Sequence, residues 1–268
     1  MSSDLRKRSY QTLLYGAREA SPSVSYDGIG YAGNWEENMA DGLPLGAIIS
    51  DLSAGAGSEL NGKLRAAHSS AALAVNTFGP WRTDPANLQI GGVGRFSALK
   101  FEATCPTGLG GTPPHLDLIA EGELPIAVES KCTEWMEAKA AHFSASYDKL
   151  RSSHGSSPWF EQIQQLRDQP NRYSFLDAAQ LVKHALGLTS MYGSRSVQLV
   201  YLYWEPNNAQ SWAECRSHRS EAEDLALRVA GSNIRLIPMS YRDLWIEWET
   251  VQPPPHLTYL RARYDRLA

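Results

Sequence analysis

Residues 111–134 read GTPPHLDLIAEGELPIAVESKCTE, with one acid, Asp117, in a short apolar run and Glu129-Ser130-Lys131 closing a second. An acid-x-lysine triplet is weak evidence alone. A chain with 29 acidic residues produces such triplets by chance, and Glu137-Ala-Lys139 repeats the pattern a few residues on. Context separates the two copies. HLDLIA and PIAVESK read as strands around the turn EGELP. Closing the loop over residues 121–125 puts Ala120 opposite Ile126, Ile119 opposite Ala127 and Asp117 opposite Glu129. Opposed residues share a face, with Cβ atoms ~5 Å apart, and strand alternation adds Lys131 to that face. A slip of one residue would separate the acids. WMEAKAAHF, which carries the second triplet, reads as helical. Positions i and i+2 diverge on a helix, so Glu137 and Lys139 read as solvated charges.

Two carboxylates face to face repel unless a cation lies between them. Mg²⁺ prefers hard oxygen ligands, typically one or two carboxylates plus water and phosphate oxygens. Such an ion polarises a phosphate and lowers the pKa of a bound water. A neighbouring lysine can orient that water or stabilise charge building on the phosphorane oxygens. The expected chemistry is phosphodiester hydrolysis by Asp117, Glu129 and Lys131 with one or two Mg²⁺ ions, for which Mn²⁺ substitutes.

The elements that position these residues are legible to different degrees. The first fifty-odd residues are rich in Gly, Ser and Asn and read as irregular. Leu60, Leu64, Ala67, Ala71, Val75 and Phe78 fall at helical spacing, predicting a helix over 58–78 that Gly62 and His68-Ser69-Ser70 weaken. RFSALKFEATC predicts a strand with imperfect alternation, followed by the loop GLGGTPP. SFLDAAQLVKHALGL predicts a helix capped by Ser174, with Asp177 at the capping-box position and Gly187 near its end. SVQLVYLYW reads as a buried strand, and SEAEDLALRVAG, IRLIPMS and YRDLWIEW as helix, strand and helix. The fold class is α/β: an αβββαβ core, a mixed sheet flanked by helices, and a C-terminal αβα extension. We expect one domain over 1–268, with an N-terminal elaboration at 1–57, a core at 58–204 and the extension at 205–268.

Composition narrows the function classes. A hydrophobic content of 43% supports a sizeable core. A net charge of −4 argues against indiscriminate coating of nucleic acid but not against one local basic patch. Cys105, Cys132 and Cys215 form neither a zinc pattern nor a disulfide framework, so a reducing, cytoplasmic setting is expected. No segment has the ~18 apolar residues of a membrane span. GLGG lacks the lysine and hydroxyl of a phosphate-binding loop, and no Gly-x-Ser-x-Gly elbow or dinucleotide fingerprint is present.

Residues 58–204, with Asp117 ahead of Glu129-Ser130-Lys131, resemble the core of the PD-(D/E)xK nuclease superfamily, and the wording GTPPHLDLIAEG…ESKCTE is similar to bacterial restriction-type endonucleases. Pro114 is separated from Asp117 by His115 and Leu116, a departure from the motif. The resemblance implies a restriction-endonuclease-like fold, endonucleolytic cutting of duplex DNA, and a homodimer for double-strand cleavage. It implies the Ser130 main-chain carbonyl as a further metal ligand and Glu59 from the first helix as another, with Glu102 as its rival. It also implies that Gln180, on a polar ridge with Lys183 and His184, contacts substrate or water; a solvated helix face explains the ridge equally well. His115 shares the face of Asp117 but reads as a loop-edge histidine bonded to backbone. LRKRS and RARYDRL could touch a phosphate backbone or be plain amphipathic surface. Two other readings stay open: a nuclease-fold binding or assembly module without turnover, and a DNA-repair or RNA-directed nuclease of the same superfamily.

Overall fold

The computed structural model describes residues 4–54, 62–137, 139–154 and 157–268. Among the described residues five strands form one sheet in chain order: β1 (Ala98–Thr104), β2 (His115–Glu121), β3 (Ile126–Lys131), β4 (Val197–Tyr203) and β5 (Ile234–Ser240). β1, β2 and β3 are antiparallel neighbours, whereas β3–β4 and β4–β5 are parallel. Tight turns and short loops join the antiparallel strands, and helices carry each parallel crossover. The sheet is therefore mixed and flanked by helices, as the sequence predicts. The order α3 (Ser70–Phe78), β1–β3, α6 (Ala178–Tyr192), β4, then α7 (Ala213–Arg228), β5, α8 (Tyr241–Val251) also matches. The remaining helices among the described residues are α1 (Asp4–Ala20), α2 (Leu45–Ala54), α4 (Arg151–His154), α5 (Pro158–Asp168) and α9 (Leu257–Tyr264).

The N-terminal stretch departs from expectation. α1 and α2 are regular helices, and the chain between and after them is pinned by a buried polar network. Asn38 donates to the carbonyls of Leu64 and Ala66 and accepts from Tyr26 and Arg263. Asn76 accepts from the Ala40 N–H and donates to Tyr264. α1 escapes notice in the sequence because its buried stripe, Leu5, Ser9, Leu13, Gly16 and Ala17, has only two large apolar side chains. Gly16 is there for contact: a Cβ would meet the Arg263 carbonyl oxygen of α9 at 2.1 Å.

Three other boundaries move. α3 begins at Ser70, where Ser69 accepts the Ala72 N–H as its cap, and residues 63–65 form a separate 3-10 turn. The break falls at the predicted weak step; the beginning of the expected helix, with Glu59, lies outside the described residues. α6 is capped by Asp177, not Ser174. The Glu221 carboxylate instead gathers the N–H groups of Ser174, Phe175 and Leu176. α6 also runs past Gly187 to a stop at Gly193, whose φ is +61°. Gly187 is a packing glycine: a Cβ would sit 2.4 Å from the Cys105 carbonyl oxygen and 2.5 Å from its Sγ. Among the described residues of WMEAKAAHF, the helical part is a 3-10 turn at Glu134–Met136, because Trp135 and Met136 are drawn into the core. Glu137 and Lys139 are exposed and pair with Arg6 and Asp177.

The outer edge of β1 is blunted by α2. Asp51 accepts the Phe101 N–H at 3.1 Å while Arg82 clasps its carboxylate with two bonds. On the face carrying Tyr201, His218 of α7 stacks on Trp135 at 4.2 Å and bonds the Tyr201 hydroxyl at 2.8 Å. Burial, then the nearby Arg219, pull its pKa down to about 3. Among the described residues no helix is long and apolar enough to cross a membrane.

Two outcomes follow from this packing. Gly187→Ala should lower unfolding free energy by about 1–3 kcal/mol in urea melts, whereas Gly46→Ala, with open space around it, should raise it by about 0.5 kcal/mol. His218 is neutral in both states above its unfolded pKa of ~6.5. Below that, only the unfolded state takes up the proton, so stability falls from about pH 6.5 toward 3. Urea melts between pH 7 and 4 should show this slope, and His218→Gln should reduce it, leaving the part due to His68 and His256, whose pKa values burial also lowers.

Candidate active site

The hairpin pairs Leu118 with Val128, Ile119 with Ala127 and Ala120 with Ile126, which is the register that sets Asp117 against Glu129. Regular pairing stops just before the two acids. There the Asp117 carboxylate accepts the Ser130 N–H at 2.7 Å, so a side chain replaces the backbone partner. This both satisfies a buried donor and anchors the carboxylate. The Ser130 side chain faces the other way, within 3.2 Å of the Ser70 carbonyl and 2.7 Å of the Tyr241 hydroxyl. It thereby locks β3 to α3 and α8.

Glu129 is 2% exposed and stands between two nitrogen groups. Lys131 donates to its Oε1, and His184 Nε2 from α6 lies 2.9 Å from its Oε2. The His184 contact is thus at ion-pair distance. Burial alone would raise the Glu129 pKa, but Lys131 and His184 outweigh it and bring it down to about 2. The Lys131 ammonium loses hydration, yet Glu129 and Asp117 more than compensate and hold its pKa above the ordinary lysine value. Asp117 goes the other way. Desolvation, then the Glu129 and Glu102 carboxylates, push its pKa well above the usual range, against the pull of Lys131 and the Ser130 N–H. One acid is thus held charged by a lysine while its neighbour favours the proton, as two close carboxylates require.

Glu102 belongs to the same row. It falls opposite Asp117 on β1, yet no ladder pair forms there, and its φ of +46° interrupts an otherwise regular strand. Backbone in that region is costly for a glutamate and clusters at functional positions. Gln180, from the first turn of α6, lines the same open cleft of about 410 Å³ as Asp117, Glu129, Lys131 and Glu102. His115 lines it as well and places Nδ1 3.4 Å from the Glu102 carbonyl oxygen, so both of its expected features occur. Cys132 is buried, and Glu134 accepts its N–H. Glu59 lies outside the described residues.

The expected ridge on α6 does not exist as a solvated face. Lys183 rests over Phe143, and His184, 1% exposed, points under the acids. The sequence places His184 on that ridge but gives it no role of its own. Its signal was a histidine flanked by Val182, Ala185 and Leu186 on an apolar stripe.

The donor set suits a hard divalent ion: Asp117 and Glu129 line one cleft, with Glu102 beside them. Among the described residues no group of three or more His, Cys, Asp or Glu side chains is arranged to hold a metal. A cation would rest on the acid pair, main-chain oxygen and water, the modest protein share that Mg²⁺ accepts.

No curated protein and no solved structure matches the chain. A family model described as Restriction Endonuclease associating with ARP matches residues 16–265. The match takes in the whole sheet and the residues Asp117, Glu129, Lys131 and His184, and the chain belongs to this restriction endonuclease family, REase-ARP.

Proposed function

We propose that the protein is a Mg²⁺-dependent endonuclease acting on duplex DNA, with Asp117, Glu129 and the Ser130 main-chain carbonyl as metal ligands. The observation that carries this reading is the pair of desolvated acids at one cleft, with the Lys131 ammonium seated on Glu129. When bound, the ion would polarise the scissile phosphate and acidify a water. The chain's own groups do the positioning. The Ser130 N–H fixes Asp117, and His184 and Lys131 hold Glu129 from opposite sides. Lys131 orients the attacking water and supplies positive charge where negative charge builds up on the phosphorane oxygens, and Gln180, which lines the same cleft, contacts substrate or that water. Cutting both strands would be the work of paired protomers. The family description adds association with ARP, and we extend that association to this chain on the family match alone.

Incubation of purified protein with supercoiled plasmid and Mg²⁺ or Mn²⁺ should give nicked and linear products. Lys131→Ala should reduce the rate by roughly 100- to 1,000-fold, the usual effect of losing one charge-stabilising group. Cleavage equal to wild type in that variant, or none on any DNA or RNA, would sink the enzymatic reading. His184→Ala, which leaves the acids in place but removes their support, should weaken Mn²⁺ binding in calorimetry by about 10- to 100-fold. Unchanged Mn²⁺ affinity in a folded His184→Ala protein would remove its positioning role.

A further inference from the structure

One wall of the cleft is aromatic, which hydrolysis of a phosphodiester does not require. Tyr10 of α1 stacks on His68 with ring centroids 4.1 Å apart and planes 22° from parallel. Tyr31 meets His68 edge-on at 6.1 Å. All three rings line the cleft beside the acids and are only half-buried. Arg6 lies over the Tyr10 ring at 5.1 Å.

The wall is held rigidly. Tyr31 pairs with Ala66 in an isolated bridge, and its N–H donates to Asp27 Oδ1 at 2.8 Å. The flanking amides of Ala32 and Ala67 bond to the Arg65 and Gly30 carbonyls at 2.9 Å each. His68 directly precedes the Ser69 cap of α3, and the Ser70 carbonyl accepts from Ser130 of β3. The rings are therefore registered to the strand that carries Glu129 and Lys131. Burial lowers the His68 pKa from its ordinary value, so at neutral pH the ring is a π surface and not a phosphate-binding cation.

We propose that Tyr10, Tyr31 and His68 form a nucleobase-stacking subsite, taking an unstacked base of the strand whose phosphate lies at Asp117 and Glu129. Every base has a π face, and aromatic platforms of this kind hold single strands with little sequence preference. A base inside an intact duplex cannot reach such a wall, so the ligand is either a single strand or a nucleotide extruded from a duplex. The subsite rests on the nuclease reading for its purpose but not for its detection.

Fluorescence anisotropy in Ca²⁺ buffer tests it with three probes of equal length: single-stranded oligothymidylate, its duplex with oligodeoxyadenylate, and an abasic deoxyribose-phosphate chain. Wild type should bind oligothymidylate roughly 10- to 100-fold more tightly than the abasic chain. Tyr31→Ala and His68→Ala should erase most of that difference without changing abasic binding, and Tyr31→Phe should keep it. Loss of the Tyr31→Ala effect on the duplex identifies a single strand as the ligand, and its persistence identifies an extruded base. Equal wild-type binding of oligothymidylate and the abasic chain overturns the proposal, and needs no variant. So does an equal loss on both chains in a Tyr31→Ala protein whose circular dichroism is unchanged. Base-dependent binding without cleavage would refute the hydrolytic reading and leave the subsite standing; cleavage with base-independent binding would do the reverse.

Discussion

Two carboxylates brought to one cleft, Glu129 buried and Asp117 half-buried, set the terms for the rest of this structure. Like charges ~5 Å apart at an effective dielectric near 20 repel by about 3 kcal/mol, before any cost of desolvation. The fold meets that cost by concentrating compensation on β3 and its neighbours. Lys131 and His184 flank Glu129, and the Ser130 amide takes Asp117. The opposite directions of the two acid pKa values express the same constraint. A divalent ion would relieve it most completely, because both carboxylates could then be charged together.

Holding that arrangement requires three layers to keep their spacing. α6 must approach the sheet closely enough for His184 to reach Glu129, and Gly187 permits it by leaving room for the Cys105 backbone. The start of α6 is fixed by Asp177 at its cap and by Glu221, which collects the three amides just upstream. On the other face, the Ser130 hydroxyl contacts α3 and α8 together. Glu247 plays a similar part near the β1 approach, bonding the N–H groups of Gly91 and Gly92 in a left-handed turn. These carboxylates fill backbone nests that would otherwise expose unpaired donors.

The N-terminal segment has more to do with the site than its composition suggests. It supplies Tyr10 and Tyr31 to the cleft wall, and its internal order rests on Asn38, Asn76 and the fully buried Arg263. Arg263 is stabilised by tyrosines: Tyr259 accepts from it, and the rings of Tyr259 and Tyr264 lie 5.8 and 5.1 Å from its guanidinium carbon. Because Arg263 comes from α9, near the far end of the chain, no local pattern could announce it.

The hairpin register, the sheet class and the order of the core elements were legible in the residues themselves. Strand alternation, a five-residue turn and a run of β-branched and apolar residues are local properties, and they specify local pairing. α1 was not legible, because Ser9 and Gly16 hold core positions that an apolar pattern does not reveal. The end of α6 was not, because Gly187 serves a contact with Cys105, about eighty residues earlier in the chain. For the site, the sequence determined that Asp117 and Glu129 would face each other and that Lys131 would share their side of the strand. Only the tertiary structure decided that His184 lies beneath them, that Glu102 joins their row through a distorted strand, and that aromatic rings wall the cleft. Those residues meet across elements far apart in the chain, and close packing of layers, not periodicity, brings them together.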